Sequence, residues 1–399
     1  MIKQLIKFFF YLLSPLILFL IIILRPFFKV KLYILSTERI GELAWSIESF
    51  LFNNKMYNKK NFTIFISNEI ISNKTLISLA KKKIKIVSGR YLYPTYRLLF
   101  FFSNYFKWLE SLFYNSHEKD FDLTQRSNRI FLSKEKSELV LNIDNNKKGE
   151  NFLKKLGIEK KDKIVCLHVR DSEYLKKKFP NKNFEYHSYR DCDINKYSST
   201  INELCTRGYY VFRMGDMIND DFQINHKNFI NYANNFRTDF LDIFLSSRCE
   251  FSIGTGAGYD SIPSWSFRKP YLYTNAIPVG PMLLNPSQSM MFSIKIYFDQ
   301  KKQKFLSIEE IFTKKLQFAY DNCDFEKNNI TIIENSEEDL KEMTNEFIHN
   351  FLMGNELTNL QIEYNKKILS LLKINLDKNN FYKLPIISNY FLKKYSFLI

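Results

Sequence analysis

From residue 164 to residue 274, short apolar runs rich in β-branched and aromatic residues alternate with stretches of helical length. Runs at 164–169, 209–214, 228–232, 249–253 and 270–274 read as strands, and 195–207, 238–248 and a stretch opening at 258 read as helices. Antiparallel strands can be joined by a tight two-residue turn, whereas parallel ones need a crossover, usually a helix. The spacing therefore predicts an α/β fold, a parallel sheet with right-handed crossovers. In open sheets of this kind ligands gather beyond the carboxyl ends of the strands, so those ends are where function is sought.

Charged and glycine-rich residues stand there. His168-Val169-Arg170-Asp171 leaves the first run, Arg213 and Asp216 follow the second, and Gly254-Thr255-Gly256-Ala257-Gly258 then Tyr259 follow the fourth. Arginine offers a permanently charged, planar fork of donors that suits a phosphate or diphosphate. Glycines let backbone N–H groups approach phosphate oxygens, and a following helix would add its dipole. A dinucleotide fingerprint would need glycine where Tyr259 stands and an acid about twenty residues further on, and neither is present. The Walker pattern fails as well, which leaves a nucleotide-diphosphate cradle or a bare strand–helix turn. His168 alternates with its apolar neighbours and reads as a core histidine or as a positioner of Arg170. Asp191-Cys192-Asp193 spells a D-x-D metal pattern, but it precedes a helical stretch, so Asp193 is more simply a helix cap. No His/Cys cluster has zinc spacing, and no metal is expected.

At 399 residues the chain can bury two cores. Its formal charge of +16 raises the question of nucleic acid, but the lysines are scattered as pairs and triplets, not gathered in one arm. We expect no nucleic-acid partner; an anionic membrane surface suits the charge better. The five cysteines, at 166, 192, 205, 249 and 323, show no C-x-x-C spacing and read as buried free thiols of a reducing compartment.

Phe8 to Leu24 is an uncharged run with cations on both sides and Pro15 inside it. It lies near the lower length limit for a span and lacks a small-x-small cleavage site. It reads as a retained anchor, with membrane contact through residues 5–28; a kinked, re-entrant form is equally allowed. Strands are expected at 31–35, 62–67 and 84–87, with a helix at 44–52. Residues 91–113 are dense in aromatics interleaved with Arg97 and Lys107, which fits either a buried helix or an interfacial one resting on lipid. The polar stretch 144–157 reads as a boundary, giving an anchor (1–30), two α/β domains (31–150 and 151–320) and a helical extension (321–399). Glu38, Arg39 and Glu42 occupy the first strand–helix loop of the first domain. Across a two-domain cleft, a Glu42 carboxylate raised toward neutrality by burial could take a proton from an acceptor hydroxyl.

Six stretches in order carry a resemblance: Arg39-Ile40-Gly41-Glu42-Leu43, Cys166 to Asp171, Tyr189-Arg190-Asp191-Cys192-Asp193-Ile194, Phe212 to Asp216, Leu241 to Leu245, and Gly254 to Gly258. With them the chain resembles a family of bacterial glycosyltransferases from surface-polysaccharide gene clusters, over most of residues 32–310. The resemblance implies a GT-B architecture of two Rossmann-like domains, with a nucleotide-sugar donor held mainly by the second. The His-x-Arg-Asp stretch is also similar to the arginine motif of fucosyltransferase-like enzymes, in which the arginine neutralises donor diphosphate; that match falls on Arg170. Such relatives are commonly inverting and work without a metal, and no cofactor beyond the nucleotide-sugar substrate is implied. Two departures stand out. Histidine is expected where this chain has Glu42, and serines where it has Gly256 and Ala257.

The expectation is thus a glycosyltransferase at the inner (cytoplasmic) membrane, its domains facing the cytoplasm, acting on a glycan or lipid-linked glycan. Arg170, Arg213 and the 254–258 amides would hold the donor, with Arg39, His168, Asp171, Asp216 and Tyr259 around it, and Glu42 would serve as base. Pyruvyl transfer, or a non-catalytic envelope scaffold, are the competing readings.

Overall fold

The computed structural model describes residues 29–57, 61–67, 70–110, 137–178, 180–181, 183–216, 222–283, 290–354, 356–372 and 384–399, with scattered residues between 8 and 23. The chain divides into two compact units: a smaller one, Met1–Asp122 with Ser137–Leu141, and a larger one, Leu123–Lys136 with Asn142–Ile399. The anchor expected over residues 5–28 falls largely outside the described residues. Among those described, no helix is long and apolar enough to cross a membrane.

The smaller unit is α/β. Strands β1 (Lys29–Leu35), β2 (Asn61–Ser67) and β3 (Lys85–Ser88) form a parallel sheet in that order. Helix α1 (Ile40–Tyr57) starts on the Arg39–Leu43 motif, earlier than expected, and buries Leu43, Ala44, Ile47 and Phe50 against the sheet. Phe50 meets Phe65 edge-on at 4.5 Å. Helix α2 (Lys74–Lys81) is capped by Asn73, whose side chain accepts from the Leu76 N–H. Helix α3 (Gly89–Ser103) follows β3 directly.

The larger unit opens with α4 (Ile143–Lys155), capped by Asn142. The polar stretch expected as a boundary is therefore a helix, because its Lys and Asn residues cover a solvated face while Gly149 and Leu153 are buried. Next come β4 (Ile164–His168), α5 (Ser198–Thr206), β5 (Tyr210–Arg213), β6 (Phe229–Ile230), α6 (Asp239–Arg248), β7 (Phe251–Gly254) and β8 (Tyr271–Ala276). The chain continues through β9 (Met290–Ile294), β10 (Ile296–Asp299), β11 (Lys304–Phe305), β12 (Ile330–Ile333) and β13 (Ile386–Ile387). The main sheet is parallel, in the order β13-β9-β8-β7-β4-β5-β6. From β4 the chain steps outward through β5 and β6, then returns to build β7, β8 and β9 on the other side. The reversal lies between β4 and β7, the place where doubly wound sheets open a crevice.

Two expectations change here. The helix from 258 is only a three-residue turn, Gly258–Asp260, followed by a wide turn at Ile262–Ser266, because Pro263 lacks the N–H that would continue an α-helix. The carboxyl-terminal residues are part of the larger unit's core: β13 extends the main sheet, and Phe347, Tyr364, Phe391 and Leu398 pack with Phe251 and Phe292 in one cluster. Of the cysteines, 166, 192, 205 and 249 are buried and Cys323 is exposed.

Candidate functional site at the sheet reversal

The crevice is built from the ends of β4 and β7, which pair in register with His168 opposite Gly254. The two loops are stitched together: the Arg170 backbone N–H donates to Thr255 Oγ1 at 2.9 Å. The Arg170 side chain then turns to the 187–191 segment. Its Nη1 lies 2.9 Å from Asp191 Oδ1 and 3.2 Å from the His187 carbonyl, with the side chain only 10% exposed. Burial, with neighbouring Arg190 adding, lowers the Arg170 pKa, and Asp191 opposes the shift. This guanidinium is a fastener that holds 187–191 against β4. Buried Lys295 completes the clamp, donating to the carbonyls of Tyr189 (3.0 Å) and Asp191 (2.5 Å).

The glycine turn is held from beneath by Asp260. Its Oδ2 accepts from the Ala257 N–H at 2.8 Å and from Tyr271 Oη at 3.0 Å, and its Oδ1 lies 3.3 Å from His168 Nδ1. The Gly256 N–H donates to Tyr271 Oη at 3.3 Å. Gly254 and Gly256 are required for space. A Cβ at 254 would lie 2.4 Å from the Asp260 carboxylate, and one at 256, where φ is +75°, would lie 1.9 Å from Tyr273 Oη. Two of the amides expected to hold a ligand are thus already bonded within the protein.

The remaining expected residues are dispersed. Arg213 is buried (3% exposed) on β5, its guanidinium 5.2 Å from the Phe222 ring centre, on the side of β4 away from β7. Asp216 pairs with Arg237 at 3.5 Å, and Asp171 accepts from the Glu173 N–H at 3.1 Å. Tyr259 is buried and hydrogen-bonds Ser246 at 2.7 Å, with the His168 ring 5.2 Å away. Asp193 caps the turn at 194–197 through the Asn195 N–H. In the smaller unit Arg39 and Glu42 are half exposed and 3.6 Å apart, and Ser36 Oγ donates to Glu42 at 2.5 Å.

Sequence reading passed over the cation that does line a cavity. Arg190 Nη2 donates to the Gly256 carbonyl at 2.6 Å, while its buried Nε has no hydrogen-bond partner. Among the described residues no carboxylate forms an ion pair with it. It borders a cavity of about 260 Å³ together with Gly256, Asp260, Trp265, Tyr273 and Tyr320. Burial lifts the Tyr273 hydroxyl to about 12, against the pull of Arg190, so it stays a neutral donor at pH 7. Asp191 drew attention to this segment as an acidic pattern; the adjacent arginine was the informative letter. A fixed cation, a glycine turn and several aromatic walls suit a ligand with an anionic group and a flat ring. A second groove, of about 600 Å³, lies between α4 and α6 and is lined by Lys147, Lys148, Lys155, Phe152 and Phe240. Among the described residues no group of three or more His, Cys, Asp or Glu side chains could hold a metal ion.

No family model matches the chain, and no curated protein does. Among solved structures it is similar to a glycosyl transferase family 9 protein from Veillonella parvula, at 10% identity and a TM-score of 0.40, over 61% of this chain and 80% of that one. It is also similar to the iron-containing dodecameric glycosyltransferase TibC of enterotoxigenic E. coli, at 13% identity and a TM-score of 0.30, over 63% of this chain and 60% of that one.

Proposed function

We propose that this chain transfers a sugar from a nucleotide diphosphate to a glycan hydroxyl, with the donor seated in the cavity beside Arg190. The observation that carries this reading is Arg190 itself. It is fixed at 2.6 Å to the Gly256 carbonyl at the crevice, has no ion pair among the described residues, and borders a cavity walled by Trp265 and Tyr273. A guanidinium held there would meet the charge that builds on a leaving diphosphate, in a partly dry site where such stabilisation is strongest. Arg170 acts indirectly, by holding the 187–191 segment that carries Arg190. An inverting reaction without a metal, a donor of uridine or guanosine type, a lipid-linked glycan as acceptor and work at the cytoplasmic face of the inner membrane complete the proposal. Glu42 is the proposed proton acceptor.

Thermal shift and calorimetry with UDP, GDP, their sugar conjugates and phosphoenolpyruvate test it. One nucleotide series should stabilise the protein, and Arg190→Gln should abolish that stabilisation and cut transfer about 100-fold or more, the scale for losing one preorganised charge-stabilising donor. If no nucleotide shifts the wild-type midpoint, the reading fails; if phosphoenolpyruvate alone does, the donor is a different one.

A further inference from the structure

The smaller unit carries an aromatic surface that its own fold leaves in water. At the end of α3 and in the turn leading to Lys107–Glu110, Phe101, Phe102, Tyr105 and Phe106 are 54%, 37%, 69% and 51% exposed. Their rings touch one another: Phe101 lies 5.6 Å from Phe102 and 5.4 Å from Tyr105, and Phe102 lies 6.5 Å from Phe106. The patch is therefore contiguous, and contiguous apolar surface of this kind marks an interaction site. The same segment is well packed on its inner side, where Leu99 and Leu109 are buried against Leu32. The exposure is a property of the outward face.

Charge identifies the occupant. Arg90, Arg97 and Lys107 precede the segment's first acid, Glu110, and Arg97 and Lys107 are exposed. A face with exposed rings and exposed cations complements anionic headgroups above acyl chains. A second copy of the chain, at +16, would bring like charges together in a symmetric contact. The described residues ahead of β1 repeat the pattern. Phe8, Leu12, Leu16, Phe19 and Ile23, at near-helical spacing, are 48–63% exposed, while Ile17 packs on the Leu32–Leu99–Leu109 cluster. That apolar stripe is thus tied along one side to the unit that bears the patch.

We propose that this face of the smaller unit rests in the plane of an anionic bilayer surface, with the 101–106 rings at the headgroup–acyl boundary and Arg97 and Lys107 among the headgroup phosphates. This goes beyond the sugar-transfer reading and holds whichever donor the larger unit takes. The test is sedimentation of the full chain with vesicles of phosphatidylcholine alone or mixed with phosphatidylglycerol. Wild type should bind the mixed vesicles. Phe101→Ser with Phe106→Ser should abolish binding, and Arg97→Glu with Lys107→Glu should weaken it more than about tenfold and remove the preference for anionic lipid. Melting curves by circular dichroism should match wild type for the charge variant, which makes it the control for folding. The proposal is overturned if both variants bind as wild type does. It is overturned too if wild type ignores the vesicles, including the case where light scattering shows a dimer that these substitutions dissociate.

Discussion

The loop after β1, an edge strand, and the loop after β4, an interior strand, each leave the carboxyl end of a parallel strand and present an arginine and an acid. They are built in opposite ways. After β1, buried Thr37 ties the loop down through the carbonyl of Ile70 and the N–H of Ser72, which leaves Arg39 and Glu42 to solvent. After β4, every polar group of Arg170 that the structure pairs is tied to protein: its N–H to Thr255, its carbonyl to Cys192, its guanidinium to Asp191 and His187. An exposed ion pair contributes about 0–1 kcal/mol, whereas breaking a buried one costs several. The lesson is that motif arginines at strand ends are to be sorted by burial before they are assigned chemistry. The sealed one holds the 187–191 segment in place, and its half-open neighbour Arg190 borders the cavity.

The sharpest test of this contrast is Arg170→Ala. With Asp191 left without its partner, stability should fall by about 3–5 kcal/mol in denaturant titration. A stable variant with lost transfer would return Arg170 to a direct role. Next is Gly256→Ala, which combines a left-handed backbone costing about 1–2 kcal/mol with a Cβ against Tyr273 Oη. The unfolding midpoint should drop and nucleotide stabilisation should vanish, and Tyr273→Phe should restore part of the stability.

Buried and exposed pairs should also differ in their response to pH. Burial pushes Asp242 up to about 6, with Arg237 and Tyr232 opposing. The folded state therefore holds that proton more tightly than the unfolded state, so the carboxylate's cost appears as pH rises from about 4 and is complete above about 6. A shift of roughly two pH units corresponds to about 3 kcal/mol, which Asp242→Asn should remove from the pH profile of stability. The smallest effect on folding belongs to Glu42→Gln, within about 0.5 kcal/mol of wild type. Its turnover should fall at least about 100-fold, and unchanged turnover would remove Glu42 from the chemistry.

The parallel sheet was legible because β4, β5, β7 and β8 are short apolar runs with helices between them, a pattern with few alternative folds. The strands β9 to β13 were not, since they lie beyond a proline-rich loop and two of them are only two residues long. The turn at 254–258 was legible as a turn, but its amides were not legible as occupied. That depended on Asp260 and Tyr271, whose bonds reach across β7 and β8. Arg190 was hidden for a similar reason. Nothing in Tyr189-Arg190-Asp191 tells which of Arg170 and Arg190 the aspartate will neutralise, and only the fold makes that choice.

The buried cysteines have a practical consequence. Burial lifts the Cys166 thiol well above its ordinary value and those of Cys192 and Cys205 to about 11. A thiol reagent attacks the thiolate, so these sulfurs should react only when the surrounding core comes apart. Cys323, exposed outside the core, supplies the accessible rate in the same molecule, itself slowed because the neighbouring Asp321 carboxylate pushes its thiol up. The ratio of the two rates, read by mass spectrometry peptide by peptide, measures how often the larger unit opens in native buffer, without any label being engineered in.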